Sequence, residues 1–307
     1  MGSTGGVARA MFKHLLENGN VDAVYSLHKN SSEPLREAHG RYYIGKVPFE
    51  SVPQSLYRPI PWGEGIAGIQ KQWQSILLIG VPCQIKGASK YLKDNYPEIQ
   101  IWAIALICRQ QKNTFYTDYV KKLLGAEEVE VERVTYRGEG WPGKLGITGK
   151  KMEKPPSFLA SGEAFGNNLW RVPGCKYCGD CLGGKIADIT LADPWNYISE
   201  TEDPEGTNIG IVWTEKGKKM LLSCSSCLSV SAVEHQTVEN ILMFDVIERK
   251  KREIAIRMGK TNHFLEKIRF SLGEKKIGLL EDLLLHQEHD SLKLRVICWI
   301  LKNLRWV

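Results

Sequence analysis

Cys175-Lys-Tyr-Cys178-Gly-Asp-Cys181 places three cysteines at intervals of three residues, so that three thiols can enter one small volume. Thiolates this close repel one another unless a metal takes up their charge. The repeated C-x2-C-x2-C spacing suits an iron–sulfur cluster, which offers several irons to one short loop. A single tetrahedral zinc usually draws two pairs from separate loops instead. Two more cysteines follow apolar runs: Cys83 comes after Ser75-Ile-Leu-Leu-Ile-Gly80, and Cys108 directly after Ile101-Trp-Ala-Ile-Ala-Leu-Ile107. Cys224-x2-Cys227 supplies a second pair, which leaves a zinc site of Cys175, Cys178, Cys181 and that pair as the competing reading. Against it, Leu221 to Leu228 ends an apolar helix, where thiols are more often inert small hydrophobes.

The elements that must position these thiols can be read from periodicity. Ser75–Gly80 is a buried strand, Val81-Pro-Cys-Gln84 a tight turn, and Ile85 to Leu92 a helix. Ile101–Ile107 repeats the plan, with Phe115 to Leu124 as its helix, which predicts parallel strands joined by crossovers. Cys83 and Cys108 then both sit at the carboxyl ends of parallel strands, where open α/β sheets place ligands. Ala187-Asp-Ile-Thr-Leu-Ala-Asp193 is a further buried strand that pins the cysteine loop to the sheet edge. Gly206 to Trp213 leads a loop into another strand, and Lys216 to Cys224 is helical. At the other end, Gly2-Ser-Thr-Gly-Gly6 opens a helix over Val7–Glu17, followed by a strand over Val21–Ser26. Free N–H groups at such a helix start attract phosphate, although the loop lacks a Walker lysine and the Rossmann spacing.

The chain has 307 residues, 43% hydrophobic and 25% charged, with a net charge of +6. That charge is too mild to imply nucleic acid without a basic, aromatic-studded stripe, and none is present. Eight clustered cysteines without a signal peptide point to a reducing cytoplasm and a metal rather than to disulfides. No run reaches the ~20 apolar residues of a membrane span. The seven histidines are scattered, and of these only His235 draws notice as a base. The expected fold is α/β, with a mixed, partly parallel sheet, flanking helices, a cysteine-rich loop at the sheet edge and a helical C-terminal region. Residues 1–228 form the α/β domain and 229–307 the helical region, in which Arg249-Lys-Lys-Arg252 reads as a solvated helix face.

Gly80-Val-Pro-Cys-Gln84, Ile107-Cys108, Cys175-x2-Cys178-x-Asp180, Ala187–Asp193 and the Gly-Ser-Thr-Gly-Gly-Val-Ala opening occur in one order over roughly residues 1–225. In this the chain resembles the coenzyme F420 hydrogenase/dehydrogenase beta-subunit family of iron–sulfur flavoproteins. The resemblance implies an oxidoreductase or electron-transfer subunit holding FAD and one 4Fe–4S cluster. Cluster ligands would be Cys83, Cys108, Cys175 and Cys178, with Cys181 a spare thiol. Ser3, Thr4, Gly5 and Gly6, with Thr207 and Asn208, would face the flavin phosphates, and Gln84 and Asp193 would border the same cavity. The electron donor would be a ferredoxin or another redox subunit, and the compartment the cytoplasm. Three departures stand out. Cys108 is followed by Arg109-Gln-Gln where the family usually has His-Gly, and Cys181 replaces an often aromatic residue. The chain also starts inside the glycine loop, without the ferredoxin-like segment of many relatives, as a short form or a truncated chain. A scaffold that has lost its cofactors is left open by the Arg109 departure. The last stretch, 291–307, carries an apolar arc beside Arg295, Lys302 and Arg305, which packs on the chain's own helices or docks to a partner or an anionic membrane surface.

Overall fold

The computed structural model describes residues 5–29, 38–48, 52, 55–127, 131, 134–138, 141, 143–147, 150–151, 164, 166–195, 197–198, 202–203, 206–261, 263–286, 292–293, 296–297 and 299. Helix α1 (Gly6–Glu17) leads into β1 (Ala23–Lys29) and the antiparallel β2 (Ala38–Tyr43). Then come β3 (Ser75–Gly80), α2 (Pro82–Asn95), β4 (Gln100–Leu106) and α3 (Thr114–Leu123). A small antiparallel sheet of β5 (Val134–Gly138), β6 (Lys144–Ile147) and β7 (Lys150–Lys151) precedes β8 (Ile189–Ala192), β9 (Ile209–Val212) and α4 (Glu215–Ser223). Three helices close the described chain: α5 (His235–Ile241), α6 (Phe244–Arg257) and α7 (Phe264–Leu285).

The main sheet has the order β2-β1-β3-β4-β8-β9, with β1, β3, β4 and β8 parallel and the two edge strands antiparallel. Burial on both faces explains why the central strands are unbroken apolar runs. Val24, Leu77, Ile79, Ile104 and Ile189 face α1 and α4, where Met11, Leu15 and Met220 meet them. Tyr25, Ile76, Leu78, Ala103 and Ala105 face the other way, onto Ile85, Ala88 and Leu92 of α2. A second core joins α3 and the small sheet to Trp170 and to Leu284 of α7. The expected mixed α/β fold is the one observed.

Local chemistry sets the turns from which the site grows. Pro82 opens α2 with no N–H to waste, and the Val81 N–H donates to Gln84 Oε1 at 3.0 Å. Asn113 caps α3 by accepting from the Phe115 N–H, and Thr214 caps α4 by accepting from the Gly217 N–H. Gly5 takes a left-handed φ of 87° at the start of α1. Because the chain reverses over residues 18–22 and α1 packs on β1 and β3, the start of α1 lies at the carboxyl edge of the parallel strands.

Candidate functional site

Cys83, Cys108 and Asp193 leave the sheet from that same carboxyl edge. Cys83 is exposed in the first turn of α2, and Cys108 follows β4 by two residues. The β4–β8 ladder runs on past the strand end, with the Ile107 N–H donating to the Leu191 carbonyl at 2.9 Å. The Cys108 N–H then donates to the Cys181 carbonyl at 3.0 Å, which stitches this strand end to the cysteine loop. A short antiparallel ribbon carries the loop in: Asn113 N–H to the Trp170 carbonyl, Val172 N–H to the Gln111 carbonyl, and a bridge between Lys112 and Arg171. The ribbon ends in a 3-10 turn over Pro173–Lys176, where the Gln111 N–H points at Cys175 Sγ at 3.3 Å.

The other end of the loop is fixed as firmly. Asp180 Oδ1 accepts from the Gly183 N–H at 2.7 Å, and Gly183 adopts a φ of 69° close against Ala105 and Pro82. Thr190 donates to the Leu182 carbonyl at 2.6 Å and accepts from Trp213 Nε1 at 2.8 Å. Beneath them, buried Asp188, at the entry to β8, joins β4 to the start of α4: it accepts from the Ala103 N–H and the Thr214 hydroxyl, and pairs with Lys216 at 3.1 Å.

Exposed at its surface but partly desolvated by its surroundings, the Cys83 thiol is pushed up by that desolvation and then by the neighbouring Cys178 and Cys175. Burial raises Cys108 further, to about 12, with Cys175, Cys83 and Cys181 adding to the effect. These couplings draw Cys83, Cys108, Cys175 and Cys178 into one electrostatic neighbourhood. Among the described residues no group of three or more His, Cys, Asp or Glu could hold a single metal ion. Four sulfurs bound to one zinc by bonds of about 2.3 Å would lie only ~3.8 Å apart. A cubane binds each thiolate through a different iron and accommodates sulfurs spread more widely. A donor set of thiols therefore suits an iron–sulfur cluster better than a single ion. Cys224 and Cys227 take no part. Cys224 is buried beside Met220 in the core under α1, and its nearest thiol is Cys227. The zinc site spanning both cysteine groups has no common centre.

The expected flavin residues divide. Ser3 and Thr4 lie outside the described residues. Gly5 and Gly6 stand at the α1 start, and among the described residues nothing lies within 4 Å of the position a Gly5 side chain would take. Gln84 spends its carbonyl oxygen on capping α2. Thr207 is exposed and donates to Asp203 at 2.6 Å, whereas Asn208 reaches Asp193 Oδ1 and the Ala192 carbonyl at 3.4 Å each. Asn208 Oδ1 is buried without a hydrogen-bond partner among the described residues, an acceptor that a ligand donor could satisfy.

Two parts of the site escape sequence reasoning. Arg137 of β5 pairs with Asp193, and its guanidinium lies 5.4 and 5.3 Å from the rings of Trp141 and Trp195, which pack on each other at 4.7 Å. Burial works against its charge, but Tyr57 and Asp193 more than compensate and hold its pKa above the usual arginine value. The only signals were two Trp residues beside prolines. The second is the C-terminal cover. Three residues of the basic run, Arg249, Lys251 and Arg252, are exposed as expected, but Lys250 is buried and donates to the Arg109 carbonyl. The expectation of a wholly solvated face is corrected here, because α6 packs its Lys250 side onto the segment after β4.

The family model for the C terminus of the coenzyme F420 hydrogenase/dehydrogenase beta subunit matches residues 73–236. The chain is similar to the coenzyme F420-dependent sulfite reductase of Methanocaldococcus jannaschii, with 25% identity over 250 residues. That match covers 71% of this chain and 34% of the relative, so the chain spans about a third of that protein's length. It is also similar to a chain of the F420-reducing NiFe hydrogenase complex from Methanosarcina barkeri, with a TM-score of 0.57 and 14% identity. This second match covers 84% of the chain and 86% of the other, and it carries the fold. With just over half its length matched by the family model, this chain belongs to the coenzyme F420 hydrogenase/dehydrogenase beta-subunit family.

Proposed function

We propose that the chain is an electron-transfer subunit of an F420-linked oxidoreductase, with one 4Fe–4S cluster held by Cys83, Cys108, Cys175 and Cys178 and a flavin, FAD, beside it. The observation that supports this reading is that the thiols of Cys83 and Cys108, at two strand ends, lie near enough to those of the Cys175–Cys178 turn to act on one another. When bound, the cluster supplies one-electron and the flavin two-electron chemistry, a pairing suited to exchange with a deazaflavin such as F420. The chain's own part is to hold and insulate. Burial keeps the Cys108 proton on at neutral pH until a metal displaces it. The Gly183 turn and the Cys108–Cys181 backbone bond fix the distance between loop and strand ends. The Gly5–Gly6 helix start offers N–H groups to a pyrophosphate, and Asn208 with Asp193 offers acceptors nearby. The electron donor is a ferredoxin or another redox subunit.

Anaerobic purification with iron, sulfide and flavin assays tests the reading. About four irons and four sulfides per chain are expected, with a broad visible absorbance that bleaches on reduction. A Cys108→Ser variant should lose most of that iron. Colourless protein, with or without zinc, would refute the cluster. For the flavin, Gly5→Asp adds negative charge to the helix start and strain at a left-handed φ. This variant should lose FAD, and FAD retained at one per chain would rule out that placement.

A further inference from the structure

Arg109 replaces the residue type usual after the second cysteine, and the structure shows what the replacement touches. Its guanidinium donates to the Leu242 carbonyl at 2.8 Å and lies 3.9 Å from Met243 Sδ, at the junction of α5 and α6. Met243 takes a left-handed φ of 46° there, so the chain turns sharply into α6 where Arg109 holds it. Two turns later Lys250, only 8% exposed, donates from Nζ to the carbonyl of Arg109, one residue beyond Cys108. Ile254 on the same helix approaches Gly179 within the cysteine loop. Arg109 and α6 thus hold each other, and Lys250 is delivered beside Cys108. Arg109 Nε is buried with no hydrogen-bond partner among the described residues.

We propose that Lys250, seated by Arg109, is the positive charge against which the cluster and its added electron are held, so that it raises both the reduction potential and the retention of the cluster. This rests on the cluster reading above. The charges facing the pair are mixed in sign. Cys108 and Cys181 both feel Lys250, and Arg109 feels Cys181, Asp245 and Arg249, while Asp180 lies by Cys181. Lys250 is the buried ammonium among them. Were the cluster bound, its reduction would add one electron and one negative charge, and no bond would break. A cation held nearby in a medium poorer than water favours the reduced state. Lys250 touches neither substrate nor reacting atoms, and so is a positioning and tuning residue.

The test compares wild type with Lys250→Gln, Lys250→Met and Lys250→Arg after anaerobic reconstitution. Iron content is measured first, followed by potentiometric titration with dithionite, read by electron paramagnetic resonance. At a fixed potential, the ratio of reduced to oxidised cluster should fall about tenfold in the neutral variants, a shift of about 59 mV for a one-electron couple. Lys250→Arg should restore the wild-type value. Neutral variants that fold but fail to retain iron, beside an arginine variant that retains it, would also support the proposal. Wild-type potential and iron content in Lys250→Gln and Lys250→Met would overturn it. Neutral variants that do not fold would overturn it too, since Lys250 would then be a structural residue. Wild-type protein without iron defeats the cluster reading itself, an outcome separate from these.

Discussion

The Asp188 carboxylate accepts from the Ala103 N–H with one oxygen and from the Thr214 hydroxyl with the other, while Lys216 balances its charge. Asp188 stands at the entry to β8, so it ties β4, β8 and the start of α4 together beneath the cysteine loop. Asp188→Ala leaves a buried N–H and a hydroxyl without partners and should cost roughly 2–4 kcal/mol, read by denaturant unfolding. Gly183 poses a different constraint. A methyl there would come within 3.2 Å of Ala105 Cβ and 3.3 Å of Pro82 Cγ, at a φ of 69°. Gly183→Ala should cost about 1–3 kcal/mol of backbone strain and lift the loop from Cys83. Iron retention should therefore fall more than secondary structure does, as circular dichroism beside iron assay would show. Much of this scale was legible: the strand from Ala187 to Asp193 and the strand-end cysteines announce themselves by apolar runs and spacing. Arg137 was not, because its partners Asp193 and Trp195 lie more than 50 residues away and only the fold brings them to β5 and the nearby Trp141.

Helix α6 shows where element-level reading fails. Four consecutive basic residues on a helix must point in four directions, 100° apart, so a run of charge cannot all face water once one side of the helix packs. Lys250 is the member that turns inward, and its long stem lets it reach the Arg109 carbonyl. The helix also clamps the loop ionically. Glu253 pairs with Arg171 at 3.5 Å, Arg257 donates to the Lys176 carbonyl at 2.9 Å, and Glu274 of α7 binds both Lys176 and Arg257. Burial alone would raise the Glu274 pKa, but the Lys176 bond and the Arg257 charge outweigh it and hold the carboxyl below its usual value. The sign follows: the clamp's contribution is complete above the unfolded carboxyl pKa of about 4.3 and is lost as pH falls through the lower folded value. Glu274→Gln should therefore fall below the wild type by the full amount at neutral pH, and the gap should narrow as pH falls below about 4. A stability gap between the two proteins that does not change with pH would contradict the assignment. The parallel strands, by contrast, were readable because burial on both faces leaves an unbroken apolar signal.

At the scale of the whole molecule, two cores meet around the cysteine loop: the layered main sheet, and the group of α3, the small sheet and α7. The second had little sequence signature, since its strands are short and its closing residue, Leu284, lies more than 100 residues beyond them. No helix among the described residues is long and apolar enough to cross a membrane. The terminal stretch 291–307 lies largely outside the described residues. Of its described members, Ile297 packs partly on the second core, while Leu292, Val296 and Trp299 are 77%, 46% and 62% exposed. One half-buried isoleucine is worth about 1 kcal/mol at ~25 cal/mol per Å². Losing that one described contact lowers the melting temperature by about 2–4 °C, and removing residues 291–307 should leave iron and flavin contents unchanged. Removal from Phe244 onward is a different operation. It takes away Lys250, Glu253, Arg257 and Glu274 together, leaves Arg171 and Lys176 without their ionic partners, and uncovers Gly179. That chain should retain its parallel sheet, whose core draws on α1, α2 and α4, but bind little iron after reconstitution. Full iron content in the shorter chain would show that the thiol recess is complete without its helical cover. Loss of iron on removing only 291–307 would show instead that the tail belongs to the site.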